Sequence, residues 1–274
     1  MMKIWKQLIL LMAIVALLAG CGKDNNVQES AAGTTIAISG STSVGPLAEK
    51  LAMKFEEQEK AKIEVNQIGS SAGITNAMTG VSEIGMSSRD LKEEEKAELE
   101  EVIIAYDGIV VVTHPTNKVD NLTIDQVKQI FTGEVTNWKE LGGDDMEIVV
   151  VSREDGSGSR DAFQEIVGYS SGELIPNAIV ASGNGNIKTT VATNKHAIGF
   201  ISFEYIDESI STVDINGVEA TAENVLANEY SLSRPFLFVH RAGELTKAGQ
   251  SFIDFILSDE GQEIVESSGA IRVN

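Results

Sequence analysis

Along the chain, short β-branched apolar runs alternate with stretches whose apolar residues recur at helical spacing, and glycine and hydroxyl residues join them repeatedly. Residues 34–38 predict a strand, and Pro46 opens a helix carried by Leu47, Leu51, Ala52 and Phe55. Proline is favoured at a first helical position, where its missing N–H would be unpaired anyway. Residues 62–67 predict a second strand, followed by a short helix through Ile74, Ala77 and Met78; 83–86 predict a brief strand and 91–99 an acidic surface helix. Residues 102–114 (VIIAYDGIVVVTH) are the most β-prone stretch, long enough to leave one domain and enter another. A helix is predicted to start at 121–123, with Thr123 and Gln126 as a capping box and Val127, Ile130 and Phe131 as its buried face. Residues 147–151, 179–181, 197–201, 212–215 and 236–239 read as strands, Asn216-Gly217 as a two-residue hairpin turn, and 246–257 and 259–267 as closing helices. Trp138 reads as a packing anchor.

This alternation predicts an α/β protein. The region from 114 to 235 begins after one long β segment and ends just before another, as two lobes joined by two crossings require. The expected division is 34–113 with 236–274 as one lobe and 114–235 as the other, each large enough to bury its own core.

Composition changes the picture at the N-terminus. Lys3 and Lys6 precede an apolar core at 8–18, too short for a stable membrane anchor, and Leu18-Ala19-Gly20-Cys21 follows. The pattern resembles a bacterial lipoprotein signal, which implies a signal peptide over 1–20 and lipidation of Cys21, the only cysteine. Residues 21–33 read as a flexible tether. The formal charge of −20 becomes −22 once Lys3 and Lys6 are removed, so the general surface is unsuited to nucleic acid.

The candidate chemistry lies in the strand-to-helix junctions. SGSTSVG (39–45), GSSAG (69–73), SSRD (87–90) and SREDGSGS (152–159) occupy the same topological place, the carboxyl ends of strands, where open α/β sheets collect ligands. A glycine and serine loop that opens a helix leaves N–H groups at the positive end of the helix dipole, a geometry that holds anions. Arg153 adds a fixed bidentate fork, Asp155 is placed to hold that fork, and Ser157 and Ser159 add hydroxyl donors. Gly40 and Gly45 have P-loop spacing, but Pro46-Leu47 stand where Lys and Ser/Thr are required, which argues against a nucleotide. An enzyme is not expected: GSSAG (69–73) fits the bare G-x-S-x-G pattern, but the candidate bases His114, His196 and His240 fall in or beside predicted strands. Neither metal-ligand spacing nor a cofactor motif is present.

The order of SGSTSVGP, IGSSAGI, IGMSSRDL, SREDGSGSR and AIGFISFEYI behind such a leader resembles the phosphate-binding component (PstS type) of bacterial phosphate ABC importers. The resemblance covers the body from Thr34 onward, and the R-x-D-G-S-G-[ST] block is its most specific element. It implies a two-lobed, periplasmic-binding-protein-like (type II) fold that closes over one inorganic phosphate. It further implies phosphate contacts from Thr42, Ser43, Ser70, Ser88, Arg153, Ser157, Gly158 and Ser159, with Asp155 orienting Arg153. Where many relatives carry an aspartate that accepts a hydrogen bond from a protonated phosphate oxygen, this chain has Ser88. The implied partners are membrane permease subunits and a cytoplasmic ATPase, and the implied state is a lipid-anchored monomer on the extracytoplasmic face of the cell membrane. The alternatives are another oxyanion (sulfate, molybdate or a small phosphoester), a surface sensor, and more remotely a phosphohydrolase.

Overall fold

The computed structural model describes residues 34–274; the leader, Cys21 and the tether lie outside the described residues. Strands β1 (Thr34–Gly40), β2 (Ala61–Gln67) and β3 (Ile84–Ser87) run parallel in the order β2-β1-β3, linked by α1 (Gly45–Gln58) and α2 (Ser70–Thr79). Helix α1 buries Leu47, Leu51, Ala52 and Phe55, the face that the apolar spacing predicts. Helix α2 comes very close to β1, because a Cβ on Gly73 would lie 2.4 Å from Gly40 Cα and 2.5 Å from the Ser39 carbonyl oxygen. That approach carries Ser70, the first residue of α2, up to the strand ends.

Two long strands tie the molecule together. After the single turn α3 (Glu93–Lys96), β4 (Leu99–Thr113) pairs antiparallel with β10 (Ser233–Arg241) from Leu99↔Arg241 to Gly108↔Ser233. β10 also pairs with β3, while the far half of β4 pairs with β8 (Ala197–Ser202) and β9 (Ser211–Ile215). β6 (Val149–Arg153) lies parallel between β8 and β7 (Ile179–Ala181), giving the order β2-β1-β3-β10-β4-β8-β6-β7, with β5 (Asn121–Leu122) on β9. The remaining helices are α4 (Ile124–Thr132), α5 (Gly158–Val167), α6 (Gly183–Thr193), α7 (Ala222–Leu226), α8 (Lys247–Leu257) and α9 (Asp259–Ser267).

One large core gathers Ile36, Ile38, Leu51, Phe55, Phe236, Phe238 and Phe252; another gathers Phe131, Trp138, Phe163, Phe200 and Tyr230, with Phe163 stacked on Phe200 at 4.1 Å. Trp138 is fully buried, and its indole N–H donates to the His196 carbonyl at 3.0 Å, the packing role read from the sequence. Asn216 and Gly217 both have positive φ and turn the chain back so that Ile215 and Val218 exchange backbone hydrogen bonds. Two expectations need correction. The acidic helix over 91–99 is only α3, because residues 99–101 are taken into the ladder opposite Arg241, His240 and Val239. Thr123 does cap α4 in a reciprocal box with Gln126, but Asn121 and Leu122 extend alongside β9 instead of starting the helix.

The long strands carry one buried ion pair. Asp107 on β4 faces Arg234 on β10, bonded at 2.8 and 3.0 Å, and its second oxygen accepts from Ser202 Oγ at 2.8 Å and the Phe203 N–H at 3.2 Å. Burial pushes the Asp107 carboxyl up and the Arg234 guanidinium down, and their mutual attraction opposes both shifts. Close by, in the 3-10 turn Phe203–Tyr205, Glu204 Oε1 is buried with no hydrogen-bond partner. Burial, with the Asp107 charge second, pushes Glu204 up to about 8.

Two outcomes are expected. Gly73→Ala forces α2 off the sheet and lowers the urea midpoint by an amount equivalent to about 1–3 kcal/mol. For Glu204 the folded chain keeps a proton that the unfolded chain releases near ~4.3, so its stabilising effect is complete below that pH and is lost as pH rises through about 8. Glu204→Gln should therefore match the wild type near pH ~5 and melt at a higher temperature near pH ~9, where the wild type has lost up to about 1.4 kcal/mol for each pH unit crossed. Thermal melts across this range check it; parallel melting curves for the two proteins would refute it.

Candidate anion-binding site

The hydroxyl loops converge because parallel strands end side by side. β1 delivers residues 41–43, β3 delivers Ser87 and Ser88, and the start of α2 delivers Ser70. From across the sheet, β6 ends on Arg153, and the loop after it turns at Gly156 (φ 80°) into α5. Ser157 is the N-cap of α5, accepting from the Arg160 N–H at 3.4 Å, so Gly158 and Ser159 are its first two residues.

The side chains interlock. Ser43 Oγ and Ser159 Oγ are 2.8 Å apart, Ser41 donates to Ser88 Oγ at 2.9 Å, and Ser70 Oγ lies 3.3 Å from Ser88 Oγ. Arg153 Nη2 donates to Thr42 Oγ1 at 2.9 Å. Ser43, Ser70, Ser88, Arg153, Ser157 and Ser159 are all buried. A Cβ on Gly158 would lie 2.3 Å from Ser70 Oγ and 2.8 Å from Ser88 Oγ, so glycine is what lets the start of α5 reach these hydroxyls. The structure thus brings together all eight residues singled out as ligand contacts.

The residue that holds Arg153 is not the expected one. Asp155 is exposed and turns outward to the Arg160 guanidinium, because the chain bends between Glu154 and Gly156. Glu154 takes the role instead: its oxygens accept from Arg153 Nε at 2.7 Å and Nη2 at 2.8 Å, and Oε2 also accepts from the Gly183 N–H at 3.3 Å. Burial alone would raise the Glu154 carboxyl, but the Arg153 hydrogen bonds and charge outweigh it and hold it below the ordinary range.

Further polar groups complete the site. Asn184, the second residue of α6, donates to Ser43 Oγ at 2.9 Å, and its oxygen accepts from Arg153 Nη1 at 3.4 Å and the Ser202 N–H at 3.3 Å. Arg234 donates to the Ser88 carbonyl at 3.2 Å. The junction 182–186 carries the signature of the other loops and marks Asn184. Asp107 and Arg234 left a different trace, a single charge within or beside an otherwise apolar strand. His114, His196 and His240 pair through Nδ1 with Thr116, the Glu147 carbonyl and the Arg241 carbonyl, so none of them bonds a hydroxyl of this site.

Residues 25–260 match the model of the PBP superfamily domain. The chain is similar to the phosphate-binding protein PstS of Bacillus subtilis, 32% identical over 97% of this chain and 93% of that one. A crystal structure from Clostridium perfringens, described as a phosphate ABC transporter substrate-binding protein with bound phosphate, is 60% identical, superposes with a TM-score of 0.86, and is matched over 88% of this chain and 100% of its own. An ABC-type phosphate transport receptor from Vibrio cholerae is 36% identical with a TM-score of 0.77, over 86% of this chain and 99% of its own. The chain, an α/β protein with the periplasmic-binding-protein fold, belongs to the PstS-type phosphate-binding proteins of the PBP superfamily.

Proposed function

We propose that this chain captures inorganic phosphate and delivers it to an ABC-type importer, acting as a receptor and not as an enzyme. The observation that carries this reading is the buried Arg153 fork, fixed by Glu154 and surrounded by hydroxyls from loops up to 117 positions apart, Thr42 to Ser159. Thr42, Ser43, Ser70, Ser88, Arg153, Ser157, Gly158 and Ser159 are the proposed phosphate contacts. A tetrahedral oxyanion offers acceptors in every direction, which suits donors arriving from several strand ends. The net charge, −20 for the full chain and −22 without Lys3 and Lys6, opposes its capture, but salt screens that field over roughly 8 Å, so the local donors decide. Micromolar affinity needs about 8 kcal/mol, and hydrogen bonds to a charged group contribute about 1.5–3 kcal/mol each. A handful of donors is enough.

In the same reading, residues 34–113 with 236–274 and residues 114–235 are two lobes that close over the ligand, with β4 and β10 as the hinge. Two separate apolar cores support two lobes: Ile104, Phe236 and Phe238 of these strands join one core, and Ile109 and Val111 of β4 join the other. The partners are a permease and its cytoplasmic ATPase, and the chain works as a monomer held outside the membrane by a lipid on Cys21. The leader pattern Leu18-Ala19-Gly20-Cys21 supports the anchor.

Titration calorimetry with phosphate and sulfate tests the ligand. Arg153→Ala should weaken phosphate binding by about a hundredfold or more. Gly158→Ala should abolish it by driving a methyl group into Ser70 and Ser88. Tight sulfate binding without phosphate binding would refute the assignment. For the anchor, labelled palmitate should be incorporated by cells expressing the wild type and not by those expressing Cys21→Ala; equal labelling of both would remove it.

A further inference from the structure

Directly after Ser88, Arg89 is 4% exposed and engages almost every donor it has. Nη1 donates to the Asp90 carbonyl at 2.8 Å and Glu95 Oε2 at 2.7 Å, and Nη2 donates to Glu95 Oε1 at 2.8 Å. Glu95 is fixed in turn by the Lys92 N–H at 2.8 Å. All these partners belong to the segment between β3 and β4, which packs through Leu91, together with Leu99 at the start of β4, against Ile74, Leu237 and Val239. The remaining donor, Nε, reaches Asp161 Oδ2 at 3.2 Å. Asp161 sits in the first turn of α5, two residues after Ser159, and α5 packs through Ala162, Phe163 and Val167 into the other large core.

We propose that Arg89 and Asp161 form a charged latch that holds the start of α5 against the Ser70 and Ser88 loops and sets the rate at which phosphate leaves. The inference rests on the phosphate reading of the site. The asymmetry of the pair carries it: Arg89 is anchored on one side by Glu95 and Asp90 whether or not Asp161 is engaged, so the socket is pre-formed and only the aspartate has to arrive. Arg89 and Asp161 are positioning residues, because neither is among the proposed ligand contacts. A backbone bond lies beside it, from the Ser71 N–H to the Gly156 carbonyl at 3.2 Å.

The sign of one substitution separates the latch from simple electrostatics. A carboxylate two residues from Ser159 repels an incoming dianion, so removing its charge without a latch would tighten phosphate binding. With the latch, Asp161→Asn should instead speed phosphate dissociation by about three- to tenfold and leave association within about twofold. Stopped-flow dissociation from the full chain, at low and high salt, tests this on the wild type, Asp161→Asn and Asp161→Glu. Dissociation should accelerate with salt in the wild type, lose that dependence in Asp161→Asn, and regain it in Asp161→Glu. Unchanged or slower dissociation from Asp161→Asn, or a salt dependence that survives the substitution, overturns the latch while phosphate binding stands. A wild-type chain that binds no phosphate overturns both readings.

Discussion

The bidentate clamp of Glu154 on Arg153 is the interaction on which the rest of the site depends. A buried arginine must hold its charge away from water and its fork in one orientation, and a carboxylate on two of its nitrogens serves both ends. The clamp has an electrostatic consequence. Glu154 neutralises Arg153 locally, so an anion in this site is balanced less by net charge than by oriented dipoles: helix N-termini, hydroxyls and the remaining guanidinium N–H. Because Glu154 also accepts from Gly183 at the start of α6, the clamp sets the position of the Asn184 loop relative to Arg153.

The second buried pair does for the opposite wall what Glu154 does for Arg153. Asp107 and Arg234 meet where β4 and β10 run side by side, and Arg234 extends to the Ser88 carbonyl while Asp107 holds Ser202 and Phe203. Ser202 in turn donates through its N–H to Asn184. A continuous chain of hydrogen bonds therefore runs from Ser88 through the two long strands to Asn184 and Arg153. Buried pairs of this sort add little net stability over apolar packing, but they are costly to break. That asymmetry suits a place where two cores meet and geometry must be unique.

Much of this was legible in the sequence because it is local. Strand–loop–helix alternation, proline at the head of α1, the Thr123–Gln126 box and the Asn216-Gly217 turn each follow from residues within a few positions of one another. The hydroxyl loops could be placed together because parallel strands present their carboxyl ends on one edge. What stayed hidden was non-local or depended on a single bend. Whether Glu154 or Asp155 faces Arg153 turns on the path into Gly156 and on a bond to Gly183, 29 residues away. The shortness of α3 is decided by β10, more than 130 residues later, which draws Leu99, Glu100 and Glu101 into a ladder. Leu99 carries no local mark of that pairing.

A cradle made of hydroxyls has a property that one made of carboxylates lacks. Four carboxylates beside it are engaged by arginines: Glu154 by Arg153, Asp107 by Arg234, Asp155 by Arg160 and Asp161 by Arg89. The groups that face inward are therefore serine and threonine oxygens, each able to donate or to accept. Ser88 already accepts from Ser41, and its own hydroxyl hydrogen has Ser70 Oγ at 3.3 Å as a partner that a ligand oxygen can replace. Binding an oxyanion then exchanges hydroxyl–hydroxyl bonds for charge-assisted ones, and the gain per bond is the difference between the two, not the full strength of either. A protonated ligand oxygen can be met by the same hydroxyls after they rotate, without a carboxylate repelling the ionised form. In the proposed phosphate site, recognition would follow from shape and donor direction, which the two buried ion pairs keep fixed.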